Sequence, residues 1–177
     1  YQRYASLNAW ITPPLPLPAG WQLSGLTGVS HVVYPSRAYF DSSLWEARGV
    51  LTYQQGPLWL QGSGGYGVDI GNGARAGGNR HGLFASLSAR AALGGGVLGE
   101  VGWLYQNWAG ARSYSPGLID VARRQHTQLL RAMVSLPLSK EHGLFLEYRT
   151  VRNRENISLF AYQSRSVQLG WQWQFGR

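Results

Sequence analysis

"SVQLGWQWQF", residues 166–175, sets an apolar residue at every second position. Val167, Leu169, Trp171, Trp173 and Phe175 alternate with Gln168, Gly170, Gln172 and Gln174. Successive Cβ atoms point to opposite sides of a pleated strand, so a period of two marks a strand whose faces meet different surroundings. Two architectures satisfy it. In a soluble sandwich or barrel the apolar face lies on a core. In an outer-membrane barrel it meets lipid, and the polar face lines the lumen.

The rest of the chain repeats the pattern. Nine strands are predicted, at about 3–12, 20–34, 43–55, 58–70, 82–93, 96–108, 125–138, 143–153 and 163–175. Most exceed the five or six residues common in soluble sheets and suit the roughly nine to eleven that a tilted strand needs to cross a bilayer. Leu83, Ala85, Leu87, Ala89, Ala91 and Leu93 share one parity, and Val101, Trp103, Leu169 and Trp171 belong to the same apolar set. The other parity carries charge in mid-strand: Glu46, Arg48, Arg90, Glu100, Arg131, Glu147 and Arg149. A dry core holds such groups only at high cost, whereas a wet lumen holds them easily. These seven are the candidate lumen-facing charges. The fold class expected is therefore all-β, an antiparallel transmembrane β-barrel in one domain over residues 1–177.

Composition agrees. Twenty-four glycines, eight tryptophans and ten tyrosines, with one methionine and no cysteine, describe strands and turns without disulfides or thiolate chemistry. No apolar run is long enough for a transmembrane helix. Connections alternate in length, as in bacterial barrels. "QGP" (55–57), "GGG" (94–96) and "KEH" (140–142) are short, while 35–42, 71–81, 109–124 and 154–162 are long and polar. The proline-rich 13–20 stretch is the one long connection where a turn is expected. Interfacial aromatics are expected at Trp10, Trp21, Trp45, Trp59, Trp103, Trp171, Trp173 and Phe175.

Sixteen Lys and Arg against eight acids give a net charge of +8. The basic residues are dispersed, which speaks against nucleic acid as a partner. Arg37, Arg75, Arg80, Arg112, Arg123, Arg124, Arg152 and Arg154 fall in or beside the long connections, as basic extracellular loops within reach of lipopolysaccharide phosphates. Catalytic signals are thin. His31, His81, His126 and His142 form no metal-ligand spacing, so no metal or cofactor is expected. Ser113, Asp120 and His126 are the one set a loop-borne hydrolase could use. "GSGGYGVDIGNG" (62–73) lacks the Lys-Ser/Thr of a P-loop and reads as a glycine-rich strand.

"LPLSKEHGLFLEYRTVRNRENISLFAYQSRSVQLGWQWQF" (136–175) resembles the end of the C-terminal barrel of outer-membrane proteins with tetratricopeptide repeats upstream, notably the surface lipoprotein assembly modulators and the related exopolysaccharide exporters. The likeness rests on Tyr148, Arg152, Asn153, Asn156, Ile157, Tyr162, Val167, Leu169, Gly170 and Phe175, with Arg123 and Arg124 where such barrels carry a basic loop. It implies a Gram-negative outer membrane, an export conduit for a surface lipoprotein or polysaccharide, and a terminal aromatic, Phe175, read by the barrel-insertion machinery. An adhesion or anchoring barrel and a small lipid-modifying enzyme are the competing classes. Nine alternating strands leave the first and last running the same way, so at least one further strand is expected before Tyr1, as the C-terminal part of a larger protein.

Overall fold

The computed structural model describes residues 5–35 and 37–173, with the side chains of Ser6, Asn8 and Trp10 outside that description. Phe175 and the indole of Trp10 therefore lie outside the described residues. Over the described residues the chain is all-β. The strands are β1 (Ala5–Ile11), β2 (Pro14–Pro16), β3 (Trp21–Val33), β4 (Ser42–Gln55), β5 (Leu58–Gly71), β6 (Arg80–Gly94), β7 (Val97–Ser115), β8 (Ile119–Pro137), β9 (His142–Glu155) and β10 (Tyr162–Trp173). Single 3₁₀ turns occupy Ala38–Phe40 and Ser158–Phe160. All the strands lie in one antiparallel meander.

β1 and β2 are two halves of one edge strand, because Ile11 lies opposite Thr27 and Pro14 opposite Ser24 in unbroken register. The Leu17 N–H donates to the Trp21 carbonyl at 2.9 Å, which makes the odd-numbered residues those that face β3. Pro13 has no N–H to give at such a position, and the ladder breaks there. Pro14 and Pro16 turn their missing donors to the free edge, where no hydrogen bond is lost. The long connection expected at 13–20 is thus corrected: the strand continues to Pro16 and the turn shortens to 17–20. The loop expected at 109–124 is corrected as well. β7 and β8 pair beyond Ala109 and Arg124 through two register shifts, leaving only 116–118 as the turn.

Two of the other short turns are as expected, while the third lies at 138–141, with His142 already in β9. Gly56, at φ +54°, opens the two-residue link between β4 and β5, and Gly95 and Gly96, at +59° and +78°, form the link between β6 and β7. Two-residue hairpins use these left-handed conformations because they match the twist of the strands.

Register places each strand's side chains on one of two faces. Leu23, Leu51, Gly62, Leu87, Trp103 and Leu130 are successive partners across six strands, and so share a face. This face also holds Leu83, Val101, Leu169 and Trp171, as expected. It is the exposed one: Leu87 is 60% and Leu169 76% accessible. Of the exposed large apolar residues within the strands, all but Val121 and Tyr162 stand on it. The opposite, polar face contains Phe84, Trp108, Glu46, Asp69 and Asn153, all buried.

This distribution inverts that of a soluble sheet. Side chains on a concave face converge and shade one another, so the burial pattern makes the polar face the concave one. The accessible surface is 11998 Å², whereas a compact soluble chain of 19.6 kDa would show about 8,600 Å². The sheet is open. β3 pairs with β1–β2 and with β4, β10 pairs with β9, and the nine alternating strands leave the two edges running in the same direction.

Candidate functional site

The polar face holds Glu46, Asp69, Glu100, Glu147 and Glu155 with the arginines that pair them, and glycine makes room there. Arg48 lies over Gly65, the Phe84 ring over Gly67, the Trp108 ring over Gly82 and the Phe145 ring over Gly170, so each side chain crosses a residue without one. A Cβ on Gly82 would stand 2.4 Å from the Asn107 carbonyl oxygen and 2.8 Å from the Trp108 ring. Phe84 and Trp108 meet edge to face at 5.1 Å. The Arg48 guanidinium caps Phe84 at 4.6 Å, and that of Arg80 caps Trp108 at 4.7 Å.

All seven expected charges stand on this face. Six of them form two ion-paired groups. Arg48 donates to Glu46 at 2.5 Å, two positions away on β4. In the second group Glu100 lies between Arg90 at 3.4 Å and Arg131 at 3.8 Å, and Arg131 also binds Glu147 at 2.7 Å. Arg149 stands opposite Arg131, is exposed, and has no acidic partner among the described residues. Arg90, Glu100 and Arg131 of the second group line a cavity of about 730 Å³ at the short-turn end, with Gln54, Trp59, Ser88 and Gly102.

The long-connection end of the same face is cross-linked by ion pairs and hydrogen bonds. Asp69 accepts from Arg75 at 2.9 Å and from Arg80 at 2.7 Å. The connection 72–79 is held to β7 by the Arg112 guanidinium, which donates to the Gly73 carbonyl, and by the Ala111 N–H, which donates to the Asn79 carbonyl. Arg123 makes two 2.6 Å bonds to Glu155 and stacks on Phe160 at 4.4 Å. Asn153 joins them: it accepts from Thr127 and Gln125 and donates to Glu155 and to the Phe160 carbonyl. A small cavity of about 60 Å³ lies between Arg75, Arg80, Arg123 and Gln125. This face therefore carries a cavity at one end and a cross-linked cluster at the other.

The basic-loop set divides. Arg37 flanks the first 3₁₀ turn and is exposed. Arg75 lies in a connection, and the rest begin or lie within strands, a correction that follows from the long hairpins. Arg80 and Arg123 belong to the polar face, whereas Arg124, Arg152 and Arg154 point to the apolar side. Among the interfacial aromatics, Trp21, Trp45, Trp103, Trp171 and Trp173 stand on the exposed apolar face. Trp59 does not: opposite Gln54 and Arg90, it lines the cavity, because its parity in β5 is that of Gln61 and Ser63.

Ser113, Asp120 and His126 do not converge. Asp120 accepts from the Gly117 N–H in the turn, whereas His126 stands six residues further along β8, roughly 20 Å away. Its imidazole contacts the Tyr105 hydroxyl on the apolar side at 3.3 Å. Sequence reasoning missed Asn153, Trp108 and Asp69 as organisers of the polar face. No family model, curated protein or solved structure matches this chain.

Proposed function

We propose that this sheet is the membrane-embedded part of a Gram-negative outer-membrane β-barrel whose charged face lines a passage for an exported lipoprotein or polysaccharide. The inverted burial carries this reading. Water would penalise an apolar face of this extent, far larger than the few hundred Å² that soluble monomers expose, and a bilayer removes the penalty. From Leu83 to Leu93 the outer side chains of β6 are all apolar, a length that suits a tilted crossing strand. An odd number of further strands would complete an antiparallel ring. The cavity at the short-turn end is the periplasmic vestibule, and the Asp69 and Glu155 clusters close the outer end. The likeness of residues 136–175 to the barrels of surface lipoprotein assembly modulators supports export as the task.

The tryptophans supply the test. In single-tryptophan variants reconstituted into vesicles, Trp103 or Trp171 should be quenched by brominated acyl chains, and Trp59 or Trp108 should not. Equal quenching of both pairs, or quenching of the second pair alone, would refute the orientation. Vesicles in which the protein leaves ion conductance at baseline, including after Asp69→Asn loosens the outer end, would refute the passage.

A further inference from the structure

Above the apolar belt, the outward side of β8, β9 and β10 changes character along one line. Leu130 gives way to Gln128 and His126, Tyr148 to Thr150 and Arg152, and Val167 to Arg165 and Gln163. Four arginines stand there. Arg165 is opposite Thr150, diagonal to Arg152. Arg154 follows Arg152 two positions on and is opposite His126, diagonal to Arg124. Neighbours in this series are roughly 7 Å apart. All four are exposed, and among the described residues none has an acidic partner. Arg124 is held in place by Asn156, whose side chain accepts from the Arg124 N–H at 2.7 Å and donates to the Ala122 carbonyl at 2.8 Å.

The acids show why these arginines stay open. Glu46, Asp69, Glu100, Glu147 and Glu155 all belong to the polar face, and Asp120, at the start of β8, accepts from the Gly117 N–H in its own turn. We infer that Arg124, Arg152, Arg154 and Arg165 form a docking site for the phosphorylated headgroup of an outer-leaflet glycolipid, whose acyl chains lie along Leu130, Tyr148 and Val167. The inference rests on the membrane orientation proposed above. The partner follows from charge complementarity and from continuity with the belt: a free anion needs only the guanidinium groups, whereas a phospholipid-like molecule also uses the apolar surface directly beneath them. Guanidinium forks suit phosphate oxygens.

The full-length protein in phosphatidylcholine nanodiscs, titrated with labelled diphosphoryl lipid A, tests this by energy transfer from its tryptophans. Replacing the four arginines by glutamine should weaken binding at least roughly tenfold, and single replacements about threefold. Lys140→Gln, which removes one positive charge at the opposite end, should leave it unchanged. Dephosphorylated lipid A should bind as weakly to the native protein as lipid A binds to the quadruple variant, and inorganic phosphate at equal phosphate concentration should not displace lipid A. Undiminished binding by the quadruple variant, equal binding of the dephosphorylated lipid, or displacement by inorganic phosphate would overturn the site and leave the membrane orientation standing. Failure of the native protein to enter neutral nanodiscs would overturn both.

Discussion

Leu87→Arg separates a sheet in lipid from a sheet in water. Leu87 occupies the middle of β6, opposite Gly62 on one side and Trp103 on the other, on the exposed face. In water, the methylene stem of the new arginine would cover much the same neighbours as leucine does, and stability would change by no more than about 0.5 kcal/mol. Near the centre of a bilayer the same change costs about 2 to 4 kcal/mol, or roughly 30- to 700-fold in the folding equilibrium. Leu93, also outward but at the short-turn end of the strand, supplies the gradient: arginine there should cost only about 0 to 1 kcal/mol. Urea titrations of the protein folded into phosphatidylcholine vesicles, followed by tryptophan fluorescence, measure both. A loss below about 0.5 kcal/mol at Leu87, or equal losses at the two sites, would refute the assignment of this face to lipid.

Three further outcomes follow from the polar face. Gly82→Ala should destabilise by about 1 to 3 kcal/mol through overpacking against Trp108, while Gly62→Ala, whose Cβ would meet only a Leu87 methyl at 3.4 Å, should cost less in the same titration. Glu155→Gln should cost about 2 to 4 kcal/mol, since its side chain is 0% exposed and holds Arg123, and proteolysis should then cut more readily at 156–161. Neutralising Arg48, Arg90, Arg131 and Arg149 together should shift a conducting pore towards cations, read as the reversal potential in a salt gradient, because Glu46, Glu100 and Glu147 are left behind.

Where side chains alternate strictly, the fold was legible. The parity of Leu83, Leu87, Trp103 and Leu169 assigned the exposed face, and the glycines at 56 and 94–96 marked tight turns, because both signals are local. The prolines misled, since the effect of Pro13, Pro14 and Pro16 depends on which of them faces β3, a property of register. The extent of β7 and β8 escaped for a related reason: the pairing shifts between Ala109 and Ser113, so the residues beyond lose simple alternation. Trp59 was placed at an interface by residue type, although its parity with Gln61 already put it on the polar side. Nothing in the local pattern marked Asn153 as an organiser of the polar face. Its role depends on Thr127, Gln125, Glu155 and Phe160 meeting there, and these come from two strands and a turn.

The same register explains how a chain with a net charge of +8 can carry a polar face that is not strongly basic. Each acid of the polar face is held by at least one arginine, either along its own strand, as Glu46 holds Arg48, or across to a neighbour, as Glu147 holds Arg131. Arg149 is the exposed remainder there. Most of the unbalanced positive charge sits elsewhere, on the outward rim at Arg124, Arg152, Arg154 and Arg165 and in the connection at Arg37. A one-residue slip of any of these strands would exchange its faces, sending paired charges into the apolar belt and leucines into the cavity. The ion pairs and the belt therefore select the same register from opposite sides, and a variant that weakens one set should leave the other able to hold the sheet in place.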